Sequence, residues 1–489
     1  MTPITPLKFT DETIRKIFGS YDGEGEKIER LEEYYLKNET YNTVISKLPI
    51  RILVGHKGIG KSALFRIAIN EQEENKELAI LIKPDDIADI GEKHDSLIIS
   101  IKKWKFGISE VIIRKALEKF GLSDEGVAAK IIKVGGKITP LLLEVIQKQL
   151  PTADLLSEQQ YFIDSFLKSN IITVYLDDID RGWQNRTEGL IMISALINSI
   201  RDISVLNQGL QFKVALRSDV YNAIRVADES SDKFEESVVW HSYDLPDIFV
   251  MLIKRVATFL GEPFDEKIML KRGDQRYAAY NLDLIFEPIF FGIGKWERQP
   301  MYKVILSLIR NRPRDLVKLC TLAAKQAFID NSPLIKTGHI NSILPEYSRS
   351  IINDTIAEYK SELPQIERLI YGMKPSKAER NADDWFTFTT AELHKKLWNL
   401  SLNGKFIFAS NKPADSHDLT TFLFKINFIT ARKTEQDGTI TRKNYERNSH
   451  LASRYQDFGF DWEVHMAYRW AIQPDTLEDS INNRDYRII

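Results

Sequence analysis

Residues 51–62 read Arg51-Ile52-Leu53-Val54-Gly55-His56-Lys57-Gly58-Ile59-Gly60-Lys61-Ser62. From Gly55 onward this is a glycine, four free positions and then Gly-Lys-Ser, the pattern of a loop whose backbone N–H groups cradle phosphates. With glycine near 7% of residues, the four fixed positions arise by chance in about two chains in a hundred of this size. The flanks agree with the motif. Ile52–Val54 is a short apolar run of strand type, and Ala63-Leu64-Phe65-Arg66-Ile67-Ala68 has apolar residues at helical spacing. A strand that turns into a helix N-terminus aims backbone donors and the positive end of the helix dipole at an anion. The residues expected around the phosphates are therefore Gly55, His56, Lys57, Gly58, Ile59, Gly60, Lys61, Ser62 and Ala63. Lys61 would place its charge on the β- and γ-phosphates and the Ser62 hydroxyl would complete a Mg²⁺ shell, so a nucleoside triphosphate and Mg²⁺ are implied. The side chains of His56 and Lys57 stand at free positions and carry no necessary role.

The chain has 489 residues, too many for one compact core, and its length suggests two to four domains. Hydrophobic residues make up 43% and charged residues 28%, a globular balance that excludes disordered and collagen-like classes. A net charge of −2 gives no global pull toward nucleic acid or anionic membrane, so any such binding needs a local patch. Cys320 is the only cysteine, which excludes an intramolecular disulfide and a cysteine metal cluster and fits a reducing compartment; it reads as a buried helix residue. The N-terminus lacks the form of a signal peptide, and no apolar run approaches the roughly 18 residues a membrane helix needs. A cytoplasmic protein with no membrane partner is expected.

Along the chain, residues 1–45 form a helical lead. Residues 46–245 alternate strand and helix: strands are expected at Leu78–Ile82, Ile171–Leu176, Phe212–Leu216 and Val238–Tyr243, with a helix from about Glu188 to Ser204. A helical insertion at about 95–168 interrupts them, broken at Gly107, Gly121, Gly135-Gly136, Pro140 and Pro151. The fold class is thus α/β, a P-loop NTPase parallel sheet with a helical insertion. A helical lid domain follows at 246–345, then a helix and linker at 346–385. Residues 386–489 combine helices at Thr390–Leu400 and Leu419–Phe424 with a hairpin turning at Glu435-Gln436-Asp437-Gly438, a winged-helix-like α+β domain. The aromatic run Trp462–Trp470 reads as core at helical spacing.

The second chemical signal is Asp177-Asp178, at the end of the apolar run Ile171–Leu176. One carboxylate at such a strand end can hold Mg²⁺, directly or through water, and its neighbour can polarise an attacking water. Taken in order, VGHKGIGKS, YLDDIDR, ALRSD and Asn311-Arg312-Pro313-Arg314-Asp315-Leu316 resemble the AAA+/STAND-type P-loop ATPases, near the KAP and origin-recognition-like branches and a family of uncharacterised bacterial P-loop ATPases. The resemblance spans residues of about 15–330 and extends weakly to the winged-helix tail. It implies that the nucleotide is ATP, that Lys61 and Ser62 are Walker A, that Asp177 (metal) and Asp178 (catalytic acid) are Walker B, that Arg217 is a sensor-1 residue, and that Arg314 or Arg312 is sensor 2. Asp178 stands where many hydrolytic members carry glutamate; the shorter acid points to slow turnover or a switch. Arg181 and Arg201 are candidates for an arginine finger acting between subunits. The same resemblance implies a homo-oligomer with a protein partner or effector, a bacterial or mobile-element setting, and a role in antiphage defence.

Arg217 also has a plain reading, an arginine paired with Asp219. His394, His417, His450 and His465 are scattered without metal spacing. In the tail, Lys425, Arg432, Lys433, Arg442, Lys443, Arg447 and Arg454 outnumber Glu435, Asp437 and Glu446 by four. On a wing these bases would meet phosphates, so nucleic acid is a possible partner through residues 425–455, and an origin-recognition-like DNA-binding protein using ATP as a clamp is the alternative function.

Overall fold

The computed structural model describes residues 7–21, 23–90, 96–123, 137–153, 155–181, 187–227, 229–265, 269, 279–292, 296–376, 379, 385–436 and 439–472. They form two compact units, one of residues 27–32 and 37–241, the other of residues 1–26, 33–36 and 242–489.

The first unit is built on five strands, β1 Ile50–Gly55, β2 Ala79–Ile82, β3 Ile172–Leu176, β4 Leu210–Arg217 and β5 Val238–Trp240. Their order is β2-β3-β4-β1-β5 and every pairing is parallel. All five expected strands are present. Every residue of β3 is buried, as befits a strand covered on both faces, where a continuous apolar run replaces alternation. β4 separates β1 from β3, with Gly55 beside Arg217 and Leu176 beside Val214. Because the strands are parallel, their carboxyl ends share one edge, the edge where open α/β sheets bind ligands.

The insertion supplies the helices Leu97–Phe120, Ile138–Gln149 and Ser157–Ser169. Gly107, expected to break a helix, lies within the first of them. A Cβ there would come within 2.6 Å of the Ile90 side chain, so the glycine serves close packing and its helix-breaking tendency is overridden by tertiary contact. Pro140 likewise falls in the first turn of the helix Ile138–Gln149, where proline is tolerated. Gly121 does end its helix, as a left-handed C-cap, and Gly135-Gly136 lies outside the described residues. The helix Thr187–Leu206 corrects the reading of apolar runs: Glu188–Leu206 is long and apolar enough, by length and composition, to cross a membrane. It is a core helix of this unit, with Ala195, Leu196, Ile197, Ile200 and Ile203 buried and the Ser199 hydroxyl donating to the Ile101 carbonyl at 3.1 Å. Among the described residues it is the one helix that passes that test.

The second unit contains the helices Asp11–Phe18, Leu245–Leu260, Met301–Ser307, Pro313–Ile329, Thr337–Tyr359 and Ile366–Gly372, and a two-stranded ribbon, β6 Ile289–Phe290 with β7 Gln299–Pro300. Cys320 is buried in the helix Pro313–Ile329. Toward the C-terminus, β8 Thr387–Phe388 precedes the helices Thr390–Leu402 and Ser416–Lys425, then β9 Ile429–Thr434, β10 Ile440–Lys443 and β11 Asp461–Val464. The sheet order is β10-β9-β11-β8, all antiparallel. Both helices start where the sequence caps them, Thr389 with Glu392 and Asp415 with Asp418, each a reciprocal capping box. The hairpin β9–β10 is present, with its Asp437-Gly438 turn outside the described residues. Trp462, Tyr468 and Trp470 are core residues, but the run that holds them is strand β11 followed by the helix Met466–Ile472 rather than one helix.

Candidate nucleotide site

At the end of β1 the chain turns through Gly58 (φ +79°) and Gly60 (φ +102°), conformations that glycine adopts without penalty. Gly60 is the N-cap of the helix Lys61–Glu74, and no side chain caps this end. That uncapped first turn is what an anion needs: helix ends otherwise recruit Ser, Thr or Asp to satisfy their amides. Lys61 bends back, its Nζ donating to the carbonyls of Gly55 at 2.8 Å and His56 at 3.2 Å. Gly55 leaves no room for a side chain, because a Cβ would lie 2.9 Å from the His241 carbonyl. Ile59 is buried, Lys57 exposed, and Gly58, Gly60, Ser62 and Ala63 are half-buried. The loop thus presents backbone and a lysine, a donor set that fits a polyphosphate.

His56 has a structural role that its free position in the motif did not suggest. It is buried, and its Nδ1 shares a hydrogen bond of 3.1 Å with the Ser218 hydroxyl just beyond β4. His241, just beyond β5, is also buried, and its amide donates to the Val54 carbonyl at 2.7 Å. Burial, reinforced by the Lys61 charge, pushes the His241 imidazole down to about 3, so it is neutral at physiological pH.

The acidic loop follows β3. Asp177 is buried and its Oδ1 accepts from the Asp178 amide at 3.0 Å. Asp178 has φ +56°, a left-handed conformation that aspartate tolerates better than most residues. Its carboxylate pairs with Arg181 Nε at 2.5 Å. Asp180 is buried, and its Oδ2 accepts from the Arg217 amide at 2.7 Å. Burial raises the Asp180 carboxyl, opposed by Lys61 and by the Arg217 amide, and the nearby Asp178 raises it further. Arg217, the last residue of β4, gives both Nε (3.1 Å) and Nη2 (2.7 Å) to the two oxygens of Asp219. Asp180 thus feels the charges of Lys61, Arg217 and Asp178 at one sheet edge, and Asp177 and Ser62 carry hard oxygens of the kind Mg²⁺ takes.

The fold is α/β, a parallel five-stranded sheet with a glycine-rich loop and a helix N-terminus at the end of β1. No protein-family model matches the chain. It is 20% identical over 394 residues to a protein of 80.3 kDa assigned to transposon gamma-delta of Escherichia coli (strain K12), a match covering 72% of this chain and 52% of that protein. The chain thus spans about half the length of that curated relative. Among solved structures it is similar to the Walker-type ATPase paby2304 of Pyrococcus abyssi (15% identity, 85% of this chain and 94% of the other, TM-score 0.39). It is also similar to the ORC2 protein of Aeropyrum pernix, solved as ADPNP-ADP complexes (11% identity, 94% and 95%, TM-score 0.41). Structural similarities of this size carry no argument about what the chain does, and the site rests on its own geometry.

The two sensor-2 candidates lie in the second unit. Arg312 is the N-cap of the helix Pro313–Ile329 and is buried, its Nη1 donating to Glu358 at 2.8 Å. Arg314 is half-exposed and donates from Nε to the Tyr21 carbonyl at 3.2 Å. In the tail, the bases that looked unbalanced have partners elsewhere in the sequence. Lys425 pairs with Glu362 at 2.7 Å, Arg454 with Asp415 at 2.7 Å and Asp418 at 3.2 Å, and Arg442 with Glu463 at 2.7 Å. Arg469 adds a bond of 2.7 Å to Glu463, and Arg432 lies 3.9 Å from it. Burial raises the Glu463 carboxyl, and the Arg442 and Arg469 charges outweigh that and hold it down at about 2. Lys433 and Lys443 flank the Phe460 ring at 5.9 and 5.2 Å, and the Arg447 side chain lies outside the described ones. His417 does approach Asp415 and Asp418, with donor atoms within 4.8 Å of one another, but these carboxylates serve the helix cap and Arg454.

Asp180, Ser218, Asp219 and His241 are what sequence reasoning left without a role in the site. Their common signal is position: each follows a strand of the parallel sheet by one to four residues, on the edge where ligands bind.

Proposed function

We propose that the chain is a Mg²⁺-dependent ATPase. The observation that carries this reading is the uncapped helix N-terminus under Gly58 and Gly60, with Lys61 beside it and acids at the end of β3 on the same sheet edge. The loop amides and Lys61 bind the phosphates, Ser62 and Asp177 hold the metal ion, and Asp178 orients the attacking water. Bound Mg²⁺ supplies positive charge against the negative charge that develops on the transferring phosphoryl group. Arg217 donates to the terminal phosphate. Arg314, being half-exposed, is the better sensor-2 candidate, since Arg312 is committed to Glu358. The short acid at Asp178, itself paired with Arg181, favours turnover below about 1 s⁻¹, the low end of enzyme rates.

In this reading the helical lid and a winged-helix-like tail convert nucleotide state into homo-oligomer assembly or engagement of a protein effector. The transposon assignment of the relative favours a mobile-element setting over antiphage defence. A second reading, a DNA-binding chain with ATP as clamp, draws on Lys433 and Lys443 flanking Phe460 on the hairpin. The test is phosphate release by Asp178→Asn. Loss of turnover by about 10²-fold or more with ATP still bound supports the role of this acid; turnover at the wild-type rate contradicts it.

A further inference from the structure

We infer that Asp219 is a positioning residue for Arg217, fixing the guanidinium before the terminal phosphate of a nucleoside triphosphate arrives. The inference rests on the ATPase reading above and goes beyond it, because that reading gives Asp219, the last residue of the ALRSD stretch, no part in the site.

Three successive residues at the end of β4 are each tied down. The Arg217 amide donates to Asp180, the Ser218 hydroxyl is bonded to His56 of the phosphate loop, and both Asp219 oxygens accept from the Arg217 side chain. The backbone under Arg217 is therefore held by the acidic loop on one side and the phosphate loop on the other. Its side chain is 19% exposed and that of Asp219 4%. A side-on, two-bond pair of this kind fixes the plane of a guanidinium as well as its place. A guanidinium carries five N–H donors and Asp219 takes two of them.

Asp219 also sits in the first turn of the helix Ser218–Ala227, where an acid is favoured by the helix dipole. That role alone requires no guanidinium. The helix-start preference explains why an acid is stable at 219; the two-bond pairing explains what the acid does for Arg217. Preorganised donors matter in proportion to how little they must reorient when charge develops.

The experiment measures steady-state phosphate release and equilibrium ADP binding for wild type, Arg217→Ala, Asp219→Asn and the double substitution. Arg217→Ala is expected to lower kcat on the order of 10²-fold, the scale of losing one preorganised donor. Asp219→Asn is expected to lower kcat about tenfold, the scale of losing an orienting partner, with KM for ATP and ADP affinity unchanged. The double substitution should be no worse than Arg217→Ala, because Asp219 acts only through Arg217. Losses that multiply, an unchanged kcat in Asp219→Asn, or ADP binding weakened as much as turnover would overturn the inference. Should Asp219→Asn not fold, Arg217→Lys carries the test. An ammonium cannot take a side-on carboxylate and should match Arg217→Ala, whereas wild-type turnover would overturn the inference. A wild-type chain that binds no nucleotide removes the ATPase reading and this role with it; a wild type that turns over ATP while the losses multiply removes only this role.

Discussion

The edge of the parallel sheet and the core of the second unit are made from the same residue types, arginine against aspartate or glutamate, and they use them in opposite ways. At the sheet edge the Arg181–Asp178 side chains are 58% and 36% exposed. In the second unit the Arg469–Glu463 side chains are 1% and 2% exposed, and Arg310–Asp315 are 2% each. Arg310 Nη1 also donates to Thr355 and Tyr468, at 2.8 and 2.9 Å. Charges sealed this completely serve architecture: desolvation has been offset by mutual attraction, and removal of one partner leaves the other buried and unpaired. Charges kept within reach of solvent can exchange a protein partner for a ligand. The contrast sorts the arginines: Arg217 and Arg314 are reachable, whereas Arg310, Arg312 and Arg469 are committed.

The contrast predicts separable losses. Glu463→Gln leaves Arg442 and Arg469 without their carboxylate and should lower stability by about 3–5 kcal/mol, read as a fall in the urea midpoint. ATP affinity of the folded fraction should be unchanged, and a coupled fall in both would break the distinction. Asp177→Asn should do the reverse. Turnover drops on the order of 10²-fold while stability moves by about 1 kcal/mol or less; a large stability loss would make Asp177 architectural too.

Acid should weaken both units in overlapping windows. His241 in the first unit and His465 in the second are both held neutral by burial, at about 3. As pH falls below 6.5 the unfolded chain takes up protons that the folded imidazoles refuse, so stability falls from there toward pH 3. His465 also accepts from the Ala467 amide through Nδ1 at 3.2 Å, a bond that protonation would remove. Glu463 extends the loss, because its stabilisation is full above pH 4.5 and disappears as pH falls toward 2. Denaturant midpoints from pH 7 to 3 should fall steadily for wild type, and the limb should flatten in His465→Asn. The smallest effect is expected at the hairpin. Lys433→Glu with Lys443→Glu should leave stability within about 0.5 kcal/mol. If the DNA-clamp reading holds, the pair should also weaken duplex binding and reduce its salt dependence.

Much of the first unit was legible because its signals are local. The loop motif, the five strands and the placement of Asp177-Asp178 after a buried run come from contiguous stretches, and strand and helix periods are short-range properties. The pairing of charges is not. Lys425 and Glu362 are 63 residues apart, and His56 and Ser218 are 162 apart. A count of bases in residues 425–455 therefore saw a surplus where the fold supplies Glu362, Asp415, Asp418 and Glu463 as partners. Gly107 misled for a related reason: intrinsic helix propensity is weak beside a tertiary contact such as Ile90. The break between β11 and the helix Met466–Ile472 escaped notice because an apolar run of that length fits either state.

The most direct test of the central claim is calorimetric titration of Mg²⁺-ATP into wild type and Lys61→Ala, with the melting temperature of both recorded. The account predicts binding to wild type and its loss in a Lys61→Ala chain that stays folded. Equal ATP affinity in the two would contradict it.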